Sequence, residues 1–502
     1  MPENSPVNQT PRYLSPAKLA FALLLTLLLG LGAFLRFSDL SQPLLDFHPT
    51  RQLFSAIKAR GMYYQTLPEA PAWQKDISYR QWQGEATIEP PIVENIAVFF
   101  YQLADEENTA YPRAVSVTFW LVAALFIFLL SKNLTGSQSA AVFSTAFFLL
   151  IPYSIPASRA FQPDPLMVLL IVVFWWAIEK TWRGGMLSGW PWAILAGLSG
   201  GLAIFVKLPA VFFIAGGAIG AILAYSNLAK AVKNPKTWVT ALLCILPSAA
   251  YLYYGLYIIG FLGQQFGGRF FPTYWVDPYF YLRWLLKVDL VVGVFWLSLA
   301  ALGWLVLAAK PARVFLSALW GEYIIYGLVF PHHIASHDYY SLPLIPIAAL
   351  SLAPLVADIL PRIWDAATSR FARIVILLST FFFLLFYTTI TYLDARLQDT
   401  RSSAQAYAEI GETLQHQPGI VALTTDYGYP LAYYGWQNVS LWPGTDNFEQ
   451  GFSQQTFEKA YFVVTDFDEL ARQPQLAEKL SAYQIFAQTR EYIIYDLKAP
   501  IP

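Results

Sequence analysis

The chain has 502 residues, of which 56% are hydrophobic and only 13% charged, against about 25% charged in a soluble globular protein. Its formal net charge of -1 leaves no overall basic field, so nucleic acid is excluded as a partner. The one cysteine, Cys244, lies inside an apolar run, which excludes an intrachain disulfide and any multi-cysteine metal site.

Met1 to Pro16 is polar and rich in Pro, Asn and Ser, and the run from Leu19 to Phe37 is too long for the apolar part of a cleaved signal. It predicts a first membrane span. Further apolar runs predict spans at 114–130, 138–152, 165–179, 190–206, 209–225, 238–259, 289–309, 314–330, 339–357 and 374–392, eleven in all. Lys and Arg set their direction. Lys132, Lys180, Arg183, Lys230, Lys233, Lys236, Lys310, Arg313, Arg362, Arg370 and Arg373 fall on the side of the N-terminus. The short opposite loops hold only Arg159 and Lys207. The expectation is a multi-pass protein of the plasma (inner) membrane with a cytoplasmic N-terminus.

Two stretches lie outside the spans. In the first large outer loop, 38–113, residues 50–65 place Leu53, Phe54, Ile57 and Met62 at helical spacing, which predicts a helix lying on the membrane surface. From 393 the composition turns polar. Ala404–Gln415 and Asp468–Leu480 predict helices; Gly419–Thr424, Ala460–Thr465 and Tyr492–Tyr495 predict strands. The fold class expected is an α-helical polytopic membrane protein with a small C-terminal α/β domain outside the cytoplasm. The predicted division is a cytoplasmic tail 1–18, a transmembrane domain 19–392 and an extracytoplasmic domain 393–502. Aromatic residues, 17% of the chain, suit membrane interfaces and also sugar binding.

Polar groups with chemical use gather in the outer loops. Asp46, His48 and Arg51 follow the first span; Glu89 and Glu94 flank Pro90-Pro91; Arg159 and Asp164 precede the fourth span; His332, His333, His337 and Asp338 lie between the ninth and tenth. Loops on one side can converge on one cavity, and ionisable groups at membrane depth without such a role are costly and rare. Plain readings stand beside the catalytic ones. Asp46 and Asp164 can cap the helices that follow them, Glu89 can sit in a solvated turn, and Arg159 can pair with Asp164. His333 and His337, at i, i+4 spacing, make with Glu89 the candidate set for a divalent metal; no other cofactor is indicated.

The acidic motif after the first span, Pro163-Asp164-Pro165 before a middle span and His337-Asp338-Tyr339-Tyr340-Ser341-Leu342-Pro343-Leu344-Ile345-Pro346 together resemble the GT-C membrane glycosyltransferases. Family 39 is the nearest group; it includes protein O-mannosyltransferases and lipid A aminoarabinose transferases. The resemblance covers 19–392 in layout. It implies transfer of a sugar, with inversion, from a polyprenyl-phosphate carrier held at the membrane lipid to a glycan, lipid or protein acceptor outside the cytoplasm. It implies that Asp46 is the first-loop catalytic acid and Asp164 the second acidic position. His48, Arg51, Glu89, Arg159, Arg269, His337 and Tyr339 are the candidate donor-phosphate and substrate contacts. Two departures stand out. Phe47 follows Asp46 where relatives often have a second acid, and Glu89 stands before Pro-Pro where some have lysine, leaving Arg51, Arg269 or His337 to meet the phosphate. The rival from another class is a polytopic transporter or lipid flippase, which would be expected to show repeats, interrupted spans or midplane charges.

Overall fold

The computed structural model of the chain describes residues 16–184, 189–263, 270–367, 399–444 and 448–501, with scattered positions from 369 to 393. Most of the N-terminal tail, Arg269 and most of the predicted span 374–392 fall outside these residues.

The first two-thirds of the chain is a bundle of helices: α1 (Pro16–Phe37), α2 (Pro49–Thr66), α3 (Ala72–Gly84), α4 (Ile92–Ala104), α5 (Ala110–Thr135), α6 (Gln138–Leu150), α7 (Ser154–Arg159), α8 (Asp164–Arg183), α9 (Trp190–Val206), α10 (Ala210–Tyr225), α11 (Leu228–Val232), α12 (Pro235–Tyr253), α13 (Pro278–Val291), α14 (Val294–Val306), α15 (Lys310–Val329), α16 (Pro331–Ser336), α17 (Leu344–Pro354) and α18 (Leu360–Ala366). Proline opens many of them, where its missing N–H would have no helical partner anyway. In α1, Leu23, Leu27 and Phe34 point outward while Leu28 and Leu35 are buried, the pattern of a helix with one face toward lipid. Helix α9 lies between α8 and α12, and α10 lies against α15. The α9–α12 crossing is close because of Gly201: a Cβ there would lie 2.1 Å from the Leu243 carbonyl oxygen, as small residues permit in membrane helix pairs.

Five described helices are long and apolar enough to cross a membrane, and a sixth span arises if a bent pair is counted as one. The other apolar helices run 10–17 residues, short of the ~20 that a bilayer core needs at 1.5 Å each. The eleven predicted spans are therefore not all full-length crossings. The clearest correction is 289–309. There α13 and α14 meet at 91°, because Gly293 takes a left-handed φ of 84° and the Asp289 carboxylate accepts the Val294 N–H to start a new helix.

The predicted surface helix at 50–65 is also corrected. The helix exists as α2, but Gln52 to Gly61 are all buried. Helix α3 packs so tightly over it that a Cβ on Gly61 would lie 2.3 Å from Trp82. The apolar stripe turned outward belongs to α4, where Phe99 and Leu103 are 59% and 72% exposed.

The C-terminal stretch holds α19 (Arg401–Thr413), β1 (Ile420–Leu423), α20 (Tyr429–Tyr434), β2 (Val439–Leu441), α21 (Phe448–Thr456), β3 (Tyr461–Val464), α22 (Phe467–Arg472), α23 (Pro474–Ser481), β4 (Tyr483–Gln488) and β5 (Ile493–Pro500). Its five-stranded sheet has the order β2-β1-β3-β5-β4, with β1 parallel to β2 and β3 and the β3–β5–β4 pairs antiparallel. Alternation along the strands builds a core on each face, Val421 and Phe462 on one side, Ile420 and Val463 on the other. The predicted helix 468–480 is two helices, broken at Pro474, whose ring cannot donate within a helix interior. This unit sits on α2 and α3. Gln81 donates to the Ala432 and Gln437 carbonyls, and the Tyr429 hydroxyl to Glu85.

Candidate active site

The site is built first on the stretch before α2. His48 is the N-cap residue, with a left-handed φ of 44° and no side-chain cap. The capping role open to Asp46 is therefore not taken up. One Asp46 oxygen accepts from Arg113, and the other accepts from Gln52 Nε2 at 3.1 Å. Arg159 Nε stands 3.8 Å away. Arg113 is fully buried and also donates to the Gln42 carbonyl. Gln52 is a second clamp: its amide donates to the Phe47 carbonyl, and its oxygen accepts the Phe161 N–H at 3.0 Å. The Phe161–Asp164 segment is thereby tied to the Asp46 loop.

Asp164 sits in the first turn of α8, where the helix dipole favours a negative charge. It caps no N–H there. Lys207 Nζ approaches Oδ1 at 2.7 Å, while Oδ2 is buried without a hydrogen-bond partner among the described residues, as are both polar atoms of the Gln162 side chain. Lys207 occupies the extended C-cap position between α9 and α10, with Nζ 5.1 Å and 5.5 Å from the ring centres of Tyr339 and Tyr340. The alternative reading of Arg159 as a partner of Asp164 is not the one the structure takes. Arg159 instead turns to Asp46 and donates to the carbonyls of Ser38 and Asp39, because α7 ends it against the loop that follows α1.

Arg51 reaches Glu89 at 3.6 Å. Burial opposes its charge, but Glu89, Tyr339 and Asp164 outweigh burial and raise the guanidinium above its ordinary value. His48 Nε2 lies 2.6 Å from Asp338 Oδ1, which also accepts from the Tyr153 hydroxyl at 2.9 Å. Burial raises the Asp338 carboxyl; the His48 hydrogen bond and charge, with Tyr153, outweigh burial and leave it below its ordinary value. The His48 ring meets Tyr339 edge-on at 4.9 Å. His337 is held below its usual value by burial and by the neighbouring charges of His332 and His48.

A cavity of about 230 Å³ opens beside these groups. Glu89, Lys207 and Tyr340 line its polar side and Phe205, Leu208 and Leu252 part of its apolar side; Asp46 does not line it. The structure thus gathers Asp46, His48, Arg51, Glu89, Arg159, Asp164 and Tyr339 at one end of the bundle. Arg269 lies outside the described residues. The divalent-metal reading of Glu89, His333 and His337 finds no such gathering. Glu89 turns to Arg51, His333 and His337 stack with ring centres 6.2 Å apart, and no three His, Cys, Asp or Glu among the described residues are grouped to hold a metal ion.

Arg113, Gln52 and Lys207 are the contributors that the pattern of loops did not single out. Lys207 had a readable signal, a lone cation between two apolar runs. Arg113 had a weaker one, a cation at the edge of the second span. Nothing local marks Gln52.

Residues 88–254 match a family model described as dolichyl-phosphate-mannose-protein mannosyltransferase. No curated protein sequence matches the chain. Among solved structures, ArnT from Cupriavidus metallidurans bound to undecaprenyl phosphate is similar with a TM-score of 0.59 at 14% identity, over 95% of this chain and 97% of that one. Its apo state gives 0.58 at 15% identity, over 96% and 98%. The archaeal oligosaccharyltransferase AglB from Archaeoglobus fulgidus, in complex with an inhibitory peptide and a dolichol-phosphate, gives 0.54 at 11% identity, over 89% and 70%. The chain is therefore a multi-pass membrane protein with the fold of ArnT, and its residues 88–254 are similar to the dolichyl-phosphate-mannose-protein mannosyltransferase family.

Proposed function

We propose that the chain moves a sugar from a polyprenyl-phosphate carrier to a hydroxyl of a glycan, lipid or protein acceptor on the extracytoplasmic side of the plasma membrane, with inversion. The observation that carries this reading is the cavity, whose polar side presents Lys207 with Asp164 and Arg51 close by, and whose remaining lining is apolar. That combination suits an anion joined to a hydrocarbon chain. Lys207 and Arg51 hold the phosphate; Tyr339 and Tyr340 shape its surroundings. The acceptor oxygen attacks the anomeric carbon from the face opposite the phosphate, the carbon–oxygen bond to phosphate breaks, and the carrier leaves as polyprenyl phosphate. The acceptor proton passes to Asp46. Its carboxylate has lone pairs beyond those that Arg113 and Gln52 engage, and those partners fix its orientation. The phosphate needs no general acid, since fixed cations stabilise its developing charge. Gln162 and the second oxygen of Asp164, buried and without partners among the described residues, are donors and acceptors for sugar hydroxyls.

The test uses the purified chain in lipid nanodiscs with a panel of polyprenyl-phosphate sugars. Free polyprenyl phosphate is expected with at least one donor, and Lys207→Met is expected to raise the donor KM by roughly tenfold or more, as loss of a charged hydrogen bond implies. No release from any donor, or a Lys207 variant with unchanged donor KM, would overturn the reading.

A further inference from the structure

The C-terminal unit reaches into the stretch that carries Asp46 at two points. The Tyr434 hydroxyl, at the end of α20, accepts the backbone N–H of Leu44 at 2.7 Å. Leu44 is fully buried, so this hydroxyl satisfies an amide that water cannot reach. At the other end, the Thr50 hydroxyl donates to Asp426 Oδ1 at 3.3 Å. Asp46 and His48 lie between these two attachments. Side-chain contacts from Arg113 and Gln52 orient the carboxylate; the two contacts from the C-terminal unit hold the stretch on either side of it, one at the Leu44 backbone and one at the Thr50 side chain.

The residues that make these contacts are themselves held in place. Arg60 of α2 is packed between the rings of Tyr433 and Trp436, 3.6 Å and 4.0 Å from their centres, and bonded to Glu107 at 3.0 Å. The Tyr433 hydroxyl also donates to Glu107. Asp426, Tyr427 and Gly428 take left-handed φ of 50°, 54° and 77° in succession. For the two non-glycine residues this is a strained conformation, which persists only where surrounding structure over-determines it.

We infer that the Asp426–Tyr434 segment is a clamp on the reacting loop, with Tyr434 and Asp426 acting as positioning residues for Asp46. This rests on the proposed role of Asp46. It makes the C-terminal unit part of the catalytic machinery, because a shift of α20 would displace the carboxylate.

Tyr434→Phe keeps the ring and removes the acceptor. Hydrogen exchange of the full-length protein in nanodiscs is expected to show the amides of 42–48 exchanging roughly tenfold faster, as loss of one buried hydrogen bond implies, while β1 and β3 keep their protection. In donor turnover, kcat falls roughly tenfold and donor KM stays within about twofold, because positioning acts on the transition state. Asp426→Ala loosens the same amides, and Asp426→Asn, which retains an acceptor oxygen for Thr50, rescues them. Unchanged exchange at 42–48 in Tyr434→Phe would overturn the clamp. So would loss of protection in β1 and β3 together with the loop, which is the signature of a folding role alone. Faster loop exchange in a protein that consumes no donor would leave the clamp standing and remove the proposed reaction.

Discussion

Asp46, partly buried, and Asp164, fully buried, both face cations at the same end of the bundle, yet their surroundings differ. Asp46 has an arginine on one oxygen, a glutamine on the other and a second arginine 3.8 Å away, and it stands outside the cavity lining. Asp164 has one lysine on one oxygen and no hydrogen-bond partner on the other among the described residues, and that lysine lines the cavity. A carboxylate held from several directions is fixed in orientation, as a group that meets a moving proton must be. A carboxylate with one partner and one free oxygen holds a cation in place and retains capacity for a ligand. The difference supports the proposed division, in which Asp46 accepts the proton and Asp164 positions Lys207.

The most forceful way to break this division is Asp46→Asn. Turnover per folded molecule is expected to fall by about 10²–10⁴-fold, the usual contribution of a general base, with donor binding little changed and thermal stability lowered, because the buried Arg113 loses its counter-charge. A comparable collapse in Asp164→Asn with near-normal Asp46→Asn would exchange the roles.

Next in size is the buried Asp164–Lys207 pair. Lys207→Met leaves Asp164 unpaired and is expected to destabilise the protein by about 3–5 kcal/mol. Adding Asp164→Asn should restore much of that loss in a thermal unfolding series, because the stranded charge is gone. A double variant no more stable than Lys207→Met would show that the lysine acts elsewhere.

A smaller effect comes from the His48–Asp338 pair. The folded Asp338 carboxyl lies below its ordinary value, so the unfolded chain binds its proton more readily. The stabilisation is present above the unfolded value near 4 and is lost as pH falls through the folded one. His48→Gln removes the opposing charge and is expected to move the midpoint of acid unfolding to higher pH. An unmoved midpoint would mean that the pair contributes nothing.

The smallest expected change is in Glu89→Gln. The Arg51–Glu89 pair is loose at 3.6 Å, and such pairs contribute at most about 1 kcal/mol. Removing a negative charge beside an anionic donor should lower donor KM by roughly two- to threefold. A higher KM would make Glu89 a sugar contact rather than a brake on phosphate binding.

The helical class and the C-terminal α/β character are legible because apolar runs and period-two alternation are local signals. So is the gathering of Asp46, His48, Arg51, Glu89 and Asp164, because one-sided loops can be read from the charge bias. The pairings are not legible. Asp46 meets Arg113, Asp164 meets Lys207 and His48 meets Asp338 across long stretches of chain, and nothing in a single sequence encodes which of several cations reaches which acid. Nearness in sequence suggests an Arg159–Asp164 pair, yet the end of α7 and the start of α8 direct the two apart. Residues 50–65 show where helical periodicity misleads. The same spacing describes a helix on a membrane and a helix sealed under another domain, and only the cover supplied by α3, α4 and α20 decides between them.

The most direct measurement is the anomeric configuration of the transferred sugar, read by NMR on the product of a single donor with wild-type protein and with Asp46→Asn. Inverted product from the wild type and none from the variant is the expected result. Product of retained configuration, or inverted product formed by Asp46→Asn at near wild-type rate, would contradict the assignment of Asp46 as the base of an inverting transfer.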